Sequence, residues 1–184
     1  MPTNTDTLYF KCRSKLRNQV LNLLGSIKKP LPGIHILNGH RIQKETEPET
    51  FRRLLYALAK EVEFIRFEKA VSMIINHEKP SKPLVAFSFD DGFIECYDIF
   101  APILEEFGTN AIFFINPNYV NGDEIYINYF NENIVLTHNR LPMRWQHIRE
   151  LSHRGFLIGA HTMDHYMINN GSTETLTYQI VTCK

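Results

Sequence analysis

Apolar residues fall into two rhythms that alternate along the chain. Short runs of strand length occur at Ile34–Asn38, Val62–Ile65, Leu84–Phe89, Ala111–Ile115 and Phe156–Ala160. Between them, apolar positions recur at helical spacing: Phe51, Leu54, Leu55 and Leu58; Phe67, Ala70, Val71, Ile74 and Ile75; Ile99, Ile103, Leu104 and Phe107; then Trp145, Ile148 and Leu151. Boundary residues agree with this reading. Thr46 with Glu49 three residues on resembles a capping box, Pro48 sits in the first turn, and Gly108 closes the third helix. Pro80-Ser81-Lys82-Pro83 reads as a rigid connector. Strand and helix in strict alternation predict an α/β fold with a parallel sheet.

Three segments stand apart. Residues 7–28 read as an amphipathic helix with Leu16, Val20, Leu23, Leu24 and Ile27 on one face, ended by Pro30 and Pro32. Lys11, Arg13, Lys15, Arg17, Lys28 and Lys29 make it the one strongly basic stretch. Two readings stay open for it: peripheral contact with anionic lipid, or packing on its own domain or a partner. Residues 116–142 show no clear period and read as an excursion over a site. Its Tyr119, Tyr126, Tyr129 and Phe130 suit either stacking on sugar rings or the packing of a lid. Glu174–Lys184 reads as the start of a last helix. The expected domains are therefore residues 1–30, the basic helix, and 31–184, the α/β body.

Composition narrows the classes of function. Twenty basic and twenty acidic side chains cancel, so nothing draws the whole chain toward nucleic acid. Cys12, Cys96 and Cys183 are too few and too widely spaced for a disulfide framework or a cysteine-rich zinc site. No apolar run approaches a membrane span, and the first thirty residues lack the apolar core of a signal peptide. These features lead us to expect a cytoplasmic protein; on the lipid-contact reading of residues 7–28, that contact would lie at the inner face of the membrane.

The candidate chemistry lies where two strands end. Phe89-Asp90-Asp91-Gly92-Phe93 follows the third apolar run, and His161-Thr162-Met163-Asp164-His165 follows the fifth. In α/β folds, strand ends are where active sites are built. One carboxylate with two imidazoles makes a facial metal site with open positions, and the second carboxylate is left over as a base. The competing reading is a surface turn and two solvated histidines, since Asp-Asp-Gly is also a common turn.

Phe87-Ser88-Phe89-Asp90-Asp91-Gly92-Phe93 resembles the first motif of the polysaccharide deacetylases, carbohydrate esterase family four, and His161-Thr162-Met163-Asp164-His165 resembles its second. Asn110–Ile115 is similar to the family's Phe-Phe strand, and Met143-Arg144-Trp145 through His161 to its approach to the second motif. The resemblance spans about residues 34–182. It implies an incomplete, distorted (β/α) barrel of the seven-stranded type and a hydrolase that removes N-acetyl groups from a glycan or a lipid-linked sugar of the cell envelope. It implies Asp91, His161 and His165 as ligands of a divalent metal, zinc first, with Co²⁺, Ni²⁺ or Fe²⁺ as alternatives. Asp90 becomes the general base, while Thr162 and Gly92 support the ligands and the substrate. The ion would acidify a water and polarise the amide carbonyl.

A proton must also reach the leaving amine. A permuted branch of the family carries the donor histidine on the first strand. Ile36-Leu37-Asn38-Gly39-His40-Arg41-Ile42 resembles that setting, with Gly39 where Tyr is common. His40 is thus the candidate acid, expected across the metal from Asp90. His35 reads as structural, and His138, His147 and His153 as surface or core-edge residues. The family continues beyond the second motif with further strands and an Arg or Pro-Tyr-Gly segment. By that standard the chain reads as truncated, as half of a split gene, or as a degenerate relative. The rival to an enzyme is accordingly a carbohydrate- or metal-binding module. A metal phosphoesterase would want more carboxylates and a second ion.

Overall fold

In the computed structural model of the chain, the described residues are 29–41, 47–169 and 171–183. The helix expected over 7–28, its membrane contact and the capping Thr46 lie outside them. Pro32–Lys184 forms one compact unit. Its elements run β1 (Gly33–Gly39), α1 (Glu47–Leu58), β2 (Glu63–Phe64), α2 (Phe67–Ile75), β3 (Pro83–Phe89), α3 (Ala101–Glu106), β4 (Ala111–Ile115), α4 (Pro117–Asn121), α5 (Glu124–Tyr129), α6 (Trp145–His153), β5 (Leu157–Ala160) and α7 (Thr173–Leu176). Wider π-helical turns precede α3 at Cys96–Phe100 and follow α5 at Phe130–Ile134 and α7 at Thr177–Val181.

The sheet is parallel throughout, in the order β1-β3-β4-β5, with β2 pairing the start of β3. That is the α/β architecture the alternation predicts. Five strands are present among the described residues, and the sheet is open: the seven strands and closure of a barrel are not part of what they form.

β3 is the spine because both of its faces are covered. Alternate side chains point to opposite faces. Val85, Phe87 and Phe89 enter the larger core with Leu55, Phe100, Leu104, Phe113, Ile148, Leu151 and Phe156. Leu84 and Ala86 enter a smaller one with Ile65, Phe67 and Ala70. Aromatic rings fill the first. Phe89 lies 4.4 Å from Phe100 and 5.6 Å from Phe113, and Phe51 meets Phe100 edge-on at 5.2 Å. This packing sets the height of the β3 terminus, which carries the carboxylate pair. Three predicted stripe positions differ from expectation. Leu54 on α1 and Ile74 and Ile75 on α2 are exposed, and Met73 packs instead.

Residues 116–142 differ most from expectation. Most of 117–134 is helical, and the segment brings a small core of its own: Tyr119, Ile127 and Phe130, packed on Phe93. Tyr119 and Phe130 stack at 4.1 Å. Their period is illegible in sequence because the segment restarts twice. Pro117 opens one helix, Asp123 caps the next by accepting from Tyr126 N–H at 2.8 Å, and the turn at Phe130–Ile134 widens to π geometry. Lid packing is therefore the reading that holds for Tyr119 and Phe130, which are buried and unavailable to a sugar.

Candidate metal centre

The end of β3 turns sharply. Asp91 has φ +71° and Gly92 φ +71°. A non-glycine residue in the left-handed region is costly and marks a site held by its surroundings. Gly92 is required twice over, since a Cβ there would also meet Ile115 Cγ2 at 3.1 Å. The turn is pinned by main chain. Asp90 N–H donates to Gly39 C=O at 3.0 Å, and Gly92 C=O accepts from Met143 N–H at 2.8 Å. Just beyond, Arg140 reaches the buried Glu95 at 2.6 Å.

The result is a buried Asp91 whose Oδ1 has no hydrogen-bond partner. That oxygen faces His165 Nε2 at 3.5 Å and His161 Nε2 at 3.7 Å. The two imidazole rings stand 4.8 Å apart and nearly perpendicular, and one donor atom from each of the three residues lies within 4.8 Å of the others. Donors each about 2.0–2.2 Å from a shared ion stand roughly 3–3.5 Å apart, so a small contraction would seat one. A buried carboxylate oxygen with no partner is costly unless a cation meets it. The residues fit a divalent metal.

Electrostatics run the same way. Burial raises the Asp91 carboxyl above its ordinary 3.8, against the pull of His165, His40 and His161. Burial lowers the His161 imidazole below 6.5, outweighing the upward pull of Asp90. A depressed imidazole is neutral at pH 7, the form a metal ligand needs.

Asp90 lies beside this group and outside it. Its Oδ2 accepts from Asn38 Nδ2 at 3.1 Å, and Asn38 also donates to Ser88 Oγ at 3.1 Å. His40 Nε2 stands 3.6 Å from the same Oδ2. His40 thus borders the site next to Asp90, where the sequence placed it on the far side of the metal. The reason is register: Asn38 pairs with Ser88 and Gly39 with Phe89, which carries the end of β1 alongside Asp90. Gly39 is explained here too. A Cβ at that position would meet the Phe89 ring at 2.8 Å.

The 161–165 loop is held mostly by borrowed side chains. Asn116, at the end of β4, donates to His161 C=O at 2.5 Å and to Thr162 C=O at 3.0 Å. Asp164 accepts from Asn118 Nδ2 at 2.6 Å, Tyr126 Oη at 2.6 Å and Gln179 Nε2 at 2.7 Å. Burial works to raise the Asp164 carboxyl, and these three donors together hold it below its ordinary value. Thr162 closes the loop locally, accepting from Tyr166 N–H at 2.7 Å. Thr162 and His165 both take positive φ, +62° and +57°.

Asn38, Asn116, Asn118 and Gln179 escape a reading from sequence. Tyr126 is visible there as a sugar platform, whereas its hydroxyl is committed to Asp164. One signal for the asparagines exists: Asn-Pro-Asn directly after β4, two amides at a strand end. The remaining histidines lie off the site. His147 Nδ1 accepts from Arg144 N–H at 3.1 Å beside Tyr97, and the exposed His138 pairs with Glu132.

Residues 77–184 match the family described as Polysaccharide deacetylase. No curated protein matches the chain. Among solved structures, the Streptococcus pyogenes deacetylase PplD in complex with acetate is 17% identical with TM-score 0.59, the match covering 85% of this chain and 67% of that one. IcaB from Ammonifex degensii is 22% identical with TM-score 0.60, covering 73% of this chain and 55% of that one. A de-N-acetylase from Aggregatibacter actinomycetemcomitans is 16% identical with TM-score 0.53, covering 77% and 59%. The chain spans little more than half the length of the last two. At these identities the likeness speaks for the fold.

Proposed function

The chain belongs to the polysaccharide deacetylase family, and from that premise we propose that it is a metal-dependent hydrolase removing N-acetyl groups from an N-acetylated glycan. The observation that carries this reading is the buried, partnerless Asp91 Oδ1 facing two imidazoles. Asp91, His161 and His165 would hold the ion, with zinc the first choice for two nitrogens and one oxygen. When bound, such an ion acidifies water and polarises an amide carbonyl.

The chain's own groups do the rest. Asp90 takes the proton of the attacking water, its carboxylate aimed by Asn38. Water oxygen joins the acetyl carbon, the C–N bond breaks, and acetate and a free amine leave. The amine nitrogen needs a proton as it departs. His40 is the candidate donor, 3.6 Å from Asp90 and half exposed, open to a glycan arriving from solvent. The position of His40 beside Asp90 supports this role; the family match itself begins at residue 77. Gly92 leaves the turn free of side-chain bulk on the Ile115 side.

The test is acetate release from an N-acetylglucosamine oligomer with added Zn²⁺ or Co²⁺. Turnover that Asp90→Asn abolishes, with zinc binding nearly intact, supports the reading. Full activity in Asp90→Asn removes the general base. Zinc and oligomer binding with no turnover in the wild type would instead identify a binding module.

A further inference from the structure

The carboxylate between the two histidines is not exposed to solvent as a turn residue would be. Asp164 collects three side-chain hydrogen bonds from three separate segments: Asn118 of α4, Tyr126 of α5 and Gln179 of the C-terminal turn. Its own N–H donates to Gln179 Oε1 at 3.1 Å, so Gln179 grips it from main chain and side chain together. The neighbouring Met163 is held likewise, donating to Gln179 C=O and accepting from Asn118 N–H, each at 3.2 Å. Asn118 Nδ2 also meets Tyr178 Oη at 2.7 Å, which joins α4 to the C-terminal turn. Gln179 is buried, although it sits near the end of the chain.

We propose that Asp164 is a positioning residue for the metal site, tying the loop of His161 and His165 to α5 and to the Gln179 turn, so that metal binding and the docking of these segments are linked. This rests on the metal-centre reading above. The physical argument is one of strain and support. Thr162 and His165 occupy backbone conformations that L-residues seldom adopt, and such conformations persist only when surroundings over-determine them. Asn116 and Tyr166 hold Thr162 and the His161 carbonyl, and Asp164, next to His165, is where three further segments meet the loop. Outer residues that orient metal ligands typically contribute about 10–100-fold in affinity. Linkage is reciprocal: if the docked segments favour metal, metal must favour the docked segments.

The variants separate. Asp164→Ala removes all three acceptor contacts. Asp164→Asn keeps one oxygen for Asn118 and Tyr126 but sets an amide against Gln179 Nε2, two donors face to face. Zn²⁺ alone is titrated into the full 184-residue chain, with far-UV circular dichroism to confirm the fold. The expected result is one zinc site in the wild type, weakened roughly 10–100-fold by Asp164→Ala and less by Asp164→Asn. Amide exchange of residues 124–129 should slow on adding zinc to the wild type.

Wild-type affinity retained within about twofold in Asp164→Ala, as a purely structural residue would give, overturns the proposal. Exchange at 124–129 indifferent to zinc also overturns it. Should Asp164→Ala not fold, Tyr126→Phe carries the test by removing one donor, with a severalfold loss expected and no loss contradicting. A wild type that takes up no zinc refutes the metal centre itself, a different outcome from zinc binding that ignores Asp164.

Discussion

The two strand ends that meet at the centre are built in opposite ways. After β3, the Asp90-Asp91 turn is fixed by main-chain bonds and by the core beneath it, and the buried Asp91 oxygen is left bare. After β5, the 161–165 loop is saturated with help from side chains of distant segments. One end holds a buried carboxylate oxygen with no hydrogen-bond partner. The other supplies rigidity to the two imidazoles. A site needs both: a carboxylate with nothing else to bind, and imidazoles that do not wander when it does.

The largest effect expected from breaking this arrangement is at the bare end. Asp91→Ala should lose more zinc affinity than the roughly 10–100-fold that a supporting residue costs, measured by titration against a competing chelator. The same substitution should leave the metal-free fold as stable or more so, since it deletes a buried carboxylate whose Oδ1 has no hydrogen-bond partner. A clear loss of metal-free stability in a denaturant melt would show that Asp91 has a structural partner.

At the saturated end the effect should be smaller and shared. Gln179→Ala removes two side-chain bonds to Asp164 and should weaken zinc severalfold while lowering stability as well. An unchanged affinity would mean that the C-terminal turn is passive.

A pH series sharpens the contrast further, because the two carboxylates shift in opposite directions. The Asp91 carboxyl is raised by burial. In the metal-free chain the unfolded state therefore ionises first, and stability falls as pH rises above the ordinary value of 3.8. The Asp164 carboxyl is lowered. Its contribution is present above 3.8 and is lost as pH falls through its depressed value. Asp91→Asn should flatten the first slope and Asp164→Asn the second, read from denaturation midpoints without metal. Slopes of the same sign would contradict the assignment.

Much of this was legible in the sequence. The strands and their parallel sheet follow from run length and alternation, because buried parallel strands leave an unbroken apolar record; the meeting of the two motifs was expected from acid and imidazole residues placed at strand ends. Asp91 was legible as a ligand candidate because its turn is local and Asp-Asp-Gly names it; its burial and its unpartnered oxygen were not. The support of the other end was not. Asn118, Tyr126 and Gln179 reach Asp164 across 46, 38 and 15 residues, and polar contacts at such separations leave no periodic trace. The helices that carry two of them were hidden by restarts at Pro117 and Asp123. His40 was found by analogy, and its place beside Asp90 came only from the register of β1.

The smallest expected effect separates base from ligand. Asn38→Ala removes the bond that aims Asp90 and touches neither histidine. Zinc affinity should stay unchanged while kcat falls severalfold with little change in KM. A drop in zinc affinity would place Asn38 in support of the metal, not of the base.

The most direct measurement is the zinc K-edge absorption spectrum of the loaded chain, in the wild type and in His165→Ala. The account predicts a shell of nitrogen and oxygen donors at about 2.0–2.2 Å, with the signature of two imidazoles reduced to one in the variant. A sulfur shell, or an imidazole signature that His165→Ala leaves unchanged, would contradict it.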